Sequence, residues 1–84
     1  MSLAFCTMTS RVACQLLDED SKGQLVNAVM EELEINGLHG TIGIYAVQSL
    51  RVVVDVNEQV IQIMTENECR RLFPTVAVTA KTAA

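Results

Sequence analysis

The sequence predicts an α+β domain: a single, mainly antiparallel sheet of four or five strands with two helices packed on one face. The expected order is β-α-β-β-β-α, with a C-terminal strand possible after it. Three observations lead there. Residues 41–64 are crowded with valine and isoleucine, whose branched Cβ resists helix and suits a pleated surface. Ser21-Lys22-Gly23-Gln24 and Thr65-Glu66-Asn67-Glu68 bracket that stretch and both read as capping boxes, in which a hydroxyl and a Gln or Glu satisfy each other's backbone N–H groups. The chain has 84 residues and three aromatics, so it makes one small domain whose core is built from Val, Ile, Leu and Met. That domain is expected over residues 1–80, with 81–84 as a disordered end.

Residues 3–17 alternate in polarity on either side of Thr9-Ser10. One long kinked strand fits, as does a strand followed by a short helix; the strand is preferred. Asp18 to Ser21 read as a polar break. A helix follows over about residues 22–35, with Leu25, Val26, Val29 and Leu33 on one face and Asn36-Gly37 as its stop. Glu31, Glu32 and Glu34 oppose its dipole, so packing has to hold it.

Three strands are expected next, over residues 41–47, 50–56 and 59–64, joined at Gln48-Ser49 and Asn57-Glu58. Neither turn offers the glycine that tight hairpins favour. The second helix starts at the Thr65 cap and must end by Phe73, because Pro74 disfavours helical geometry in the residue before it. Residues 75–80 alternate and suit an edge strand. The order is loosely that of the ferredoxin-like sandwich, a topological analogy that carries no function.

Composition excludes several roles. Net charge is −4, and Asp18, Glu19, Asp20, Glu31, Glu32 and Glu34 face only Lys22 in their region, which disfavours binding to a phosphate backbone. No run of 18 apolar residues occurs and no signal peptide is recognisable. Cys6, Cys14 and Cys69 form no disulfide framework and suit free thiols in the cytoplasm.

Candidate chemistry is thin. Cys6, Cys14, His39 and Cys69 could be drawn as a zinc site, but none of the ligands lie in the close pairs such sites favour. The glycines of residues 37–43 follow a helix rather than precede one, the reverse of a phosphate loop. His39 with Asp55 and Ser10, Ser21 or Ser49 lacks any nucleophile-elbow pattern. Cys14 and Cys69 lack a paired base, and the acids at 18–20 are too few for a calcium loop. No catalytic, cofactor or metal residues are therefore assigned.

The feature that stands out is apolar sheet on both faces. Ile42, Ile44, Val52 and Val54 are expected beneath the helices, leaving Tyr45, Val47 and Val53 for a homodimer interface, the alternative being that the N-terminal segment folds over and covers that second face. The sequence thus points to a small non-enzymatic interaction or regulatory protein that acts as a homodimer. The alternative is a small-molecule or anion-binding module at a subunit interface, using Arg51, Arg70 and Arg71.

Overall fold

A computed structural model describes residues 5–37 and 41–80, and the expected free end at 81–84 lies outside them. The chain is α+β. Strand β1 (Cys6–Thr9) leads into two helices, α1 (Arg11–Leu16) and α2 (Glu19–Asn36). Strands β2 (Ile42–Val47), β3 (Leu50–Asp55) and β4 (Val60–Thr65) form an antiparallel meander. Helix α3 (Glu66–Leu72) and strand β5 (Val78–Ala80) complete the order.

The sheet runs β1-β4-β3-β2-β5. Its middle is antiparallel, as expected, but β1 pairs with β4 and β5 with β2 in parallel, so the whole is mixed. Parallel neighbours need crossovers, and the helices supply them. The connections β1 to β2 and β4 to β5 advance the same way across the sheet over opposite faces. They therefore have opposite hands, and one departs from the usual right-handed rule.

The N-terminal segment turns helical because of Ser10. Its side chain accepts from the Ala13 N–H at 3.1 Å, which caps α1 and overrides the alternating pattern. The second helix starts three residues earlier than its expected bound. Asp18 Oδ1 accepts from the Ser21 N–H at 2.7 Å, so Asp18 rather than Ser21 is the cap. Glu19 and Asp20 then fill the first turn, where negative charge suits the dipole. The expected box at Ser21 is thus replaced by a cap three residues upstream. Gly37 ends the helix at φ 72°, its N–H donating to the Leu33 carbonyl. The Thr65 cap has both halves of a capping box, with Glu68 as the reciprocal residue, and α3 stops before Pro74 as expected.

Among the described residues three helices replace the expected two, and they do not share one face. Helices α1 and α2 bury Ala13, Leu25, Val29 and Leu33 against Tyr45, Leu50, Val52, Val54, Ile61 and Ile63. On the other face α3 sets Cys69 against Ile44, Val53 and Met64, with Phe73 and Val76 alongside. The ferredoxin-like analogy lapses with this, since β1 is an edge strand and the helices flank both faces.

Register explains the second correction. The turn at Gln48-Ser49 does have two residues, pairing Val47 with Leu50, Tyr45 with Val52 and Ile44 with Val53. Tyr45 and Val47 therefore share a face with Val52 and Val54, not with Val53. Gln48 takes φ 55° there, a position that usually goes to glycine. The next connection has four residues rather than two. Asp55 pairs with Val60 and its side chain accepts from the Glu58 N–H at 3.0 Å, while Gln59 takes φ 55°.

Candidate functional site

The residues expected at an interface are covered by the subunit itself. Tyr45 is 5% exposed beneath α2 and Val53 1% exposed beneath α3, while Val47 is half-buried against the first core. The physical reason is the helix count: the N-terminal segment supplies a cover for one face, which frees α3 to cover the other.

That second cover is incomplete. Helix α3 is seven residues long and shelters Ile44, Val53 and Met64, but not the β1 side of the same face. Between β1 and α3 runs an open groove of about 200 Å3, lined by Met8, Thr9, Ser10, Gln62, Met64, Glu68 and Leu72 among others. Met8 and Leu72 at its rim are 55% and 57% exposed. Cys6 and Thr7 are exposed as well.

One carboxylate organises the floor. Glu68 Oε1 accepts from Thr65 N–H, Thr65 Oγ1 and Ser10 Oγ, each at 2.9 Å. The caps of α1 and α3, helices on opposite faces, are thereby joined through a single oxygen. These hydrogen bonds, with the nearby Arg71 guanidinium, hold the Glu68 carboxyl below its ordinary value of 4.5. Ser10 is thus a double cap rather than a nucleophile: its oxygen takes the Ala13 N–H and its hydrogen goes to a carboxylate already engaged twice. The capping box was legible in the sequence; the link from Ser10 over 58 positions was not.

Arg51, Arg70 and Arg71 do not converge as a trio. Arg51 and Arg70 both reach Glu66, Arg51 at 3.6 Å, beside a cleft of about 220 Å3 that Cys69, Phe73, Pro74 and Val76 help to line. The Arg51 guanidinium also donates to the Leu50 carbonyl at 3.0 Å, which fixes its plane. Arg71 lies on the Glu68 side instead. Two cations therefore share one counter-ion, leaving a local excess of positive charge.

The cysteines are dispersed in environment. Cys6 and Cys14 are exposed, and Cys14 Sγ makes a weak 3.9 Å contact with the Thr9 carbonyl. Cys69 is buried, and desolvation pushes its thiol above the ordinary value despite the opposing pull of Arg51. That environment suits a packing residue, not a thiolate nucleophile. His39 lies outside the described residues, and among those described no three His, Cys, Asp or Glu side chains cluster for a metal. No described helix is long and apolar enough to cross a membrane. Set against known proteins, the chain matches no family model, no curated sequence and no solved structure.

Proposed function

We propose that the protein is a small non-enzymatic interaction module with a regulatory role, acting as a homodimer through apolar sheet surface. The observation that carries this reading is the half-open face beside β1: Met8 and Leu72 stand exposed on either side of an apolar groove at the sheet's edge. A groove of that character gains free energy when covered, at roughly 25 cal/mol per Å2 of apolar surface removed from water. Two of its polar groups, Ser10 and Glu68, are engaged with each other and with Thr65, while Thr9 and Gln62 also line it. Three free thiols suit a reducing, cytoplasmic setting.

Sedimentation velocity of the full chain across the micromolar range tests the reading. A sedimentation coefficient that climbs from monomer to dimer with concentration supports it; one fixed at the monomer value removes it.

A second reading rests on a different observation, the convergence of Arg51 and Arg70 on Glu66 beside a cleft. In it the protein binds a small anion there, with Glu66 as the group displaced. Thermal shift with inorganic phosphate and with small carboxylates is the test. A rise in Tm that grows with ligand supports it, and an unchanged Tm throughout rejects it.

A further inference from the structure

The geometry points to one seam for that self-association: strand β1 pairs antiparallel with β1 of a second copy, about a two-fold axis at Thr7. The inference deepens the homodimer reading and rests on it.

Backbone directions carry the first part. Cys6 N–H donates to the Gln59 carbonyl at 3.0 Å and Ser10 N–H to the Ile63 carbonyl at 2.9 Å, so the even-numbered residues turn their main-chain groups toward β4. Successive residues of a strand alternate, which aims the N–H and C=O groups of Thr7, the N–H of Thr9 and the C=O of Phe5 away from the sheet. An edge of this kind is a template for another strand.

Among the described residues the edge is also unguarded. Sheet proteins usually protect an edge with charge, proline or a bulge. Residues 5–10 are Phe-Cys-Thr-Met-Thr-Ser, without any charge or proline, and β1 pairs with β4 in unbroken register. From residue 5 to residue 17 the sole charged side chain is Arg11, and an antiparallel seam centred at Thr7 sends the two copies of it to opposite ends. A chain of net charge −4 thus meets its own copy along a neutral line, where like-charge repulsion is least. That charge pattern favours a second copy as the occupant. The opposite edge, β5, is three residues long and does not adjoin the Met8 groove.

The Thr7 centre is the register that pairs all the outward groups just named. Centring on Thr7 forms reciprocal Thr7–Thr7 bonds and bonds from Thr9 N–H to the Phe5 carbonyl of the other copy. Met8 then lies opposite Cys6 of the other copy on the groove face, and the two grooves become neighbours across a ten-stranded sheet.

Three variants of the full chain test the seam. Thr7→Pro removes an outward N–H while leaving the bonds to β4 intact, and Met8→Lys places a cation at the seam from each copy. Each should raise the dimer dissociation constant about tenfold or more in sedimentation while circular dichroism stays native. If Thr7→Pro does not fold, Met8→Lys decides. Met8→Cys in a Cys14→Ser background should form a covalent dimer with oxidised glutathione as the electron acceptor, because facing residues of such a pair sit within disulfide range. Adding Cys6→Ser should abolish that product. A wild-type chain that stays monomeric overturns both the seam and the homodimer reading. A wild-type dimer that is indifferent to Thr7→Pro and Met8→Lys and yields no cross-link overturns the seam alone.

Discussion

Replacing Ser10 and Thr65 by alanine, singly and together, tests how the two faces of the sheet are tied. Each hydroxyl caps a helix: Ser10 takes the Ala13 N–H at 3.1 Å and Thr65 takes the Glu68 N–H at 3.3 Å. Loss of a cap costs about 1 kcal/mol, so each single variant should lose roughly that much. The two side chains also donate to the same Glu68 oxygen, at 2.9 Å each. Without the Thr65 hydroxyl, Glu68 is held less firmly, and the bond from Ser10 loses part of its value. The double variant should therefore lose less than the sum of the singles, by about 0.5 kcal/mol or more, the range seen for groups sharing one network. Urea denaturation of all four proteins gives the cycle, and repeating it on a Glu68→Gln background should shrink the coupling. Losses that add within about 0.3 kcal/mol would refute the shared-oxygen link.

Two glycines should respond to alanine with opposite signs. Gly23 lies inside α2 where a Cβ would meet nothing within 4 Å, so Gly23→Ala should stabilise by about 0.5–1 kcal/mol. Gly37 sits at φ 72° and ψ −175°, a region nearly closed to other residues, so Gly37→Ala should cost about 1–3 kcal/mol in the same melts. Stability should also fall in acid. Glu68 and Asp18 both have carboxyls held below their ordinary values by hydrogen bonds, so the folded state binds fewer protons than the unfolded one. Their contribution is present above the unfolded values and is lost as pH drops through the folded ones; Tm should decline below about pH 4.5, and less steeply in Glu68→Gln. A Tm flat to pH 3 or so in the wild type would contradict this. Alkylation at neutral pH should label the exposed Cys6 and Cys14 well before Cys69, as read by mass spectrometry; Cys69 reacting first would contradict its burial.

Much of the fold was legible where a residue's local chemistry is decisive. Thr65 with Glu68 announces a cap that the tertiary structure keeps, and Pro74 marks the end of the same helix. The Val and Ile alternation gives three strands within a residue or two. Legibility failed where two local signals compete or where the answer lies across the chain. Asp18 and Ser21 both can cap, and the carboxylate upstream wins because it brings two more acids into the first turn. Val12, Cys14 and Leu16 alternate like a strand, yet a single hydroxyl at Ser10 turns them into helix. Period-two patterns cannot assign a side when both faces are apolar, so the sequence groups Tyr45 with Val53 although they lie in different cores. The groove was illegible because it depends on α3 being too short to span its face.

The outward amides of β1 offer the most direct test of self-association. Hydrogen exchange resolved to single residues should show the Thr7 and Thr9 N–H groups protected at high protein concentration and exposed on dilution, while Cys6 and Ser10, bonded to β4, stay protected in both. Rapid exchange at Thr7 and Thr9 at every concentration, beside slow exchange at Cys6 and Ser10, would contradict the account.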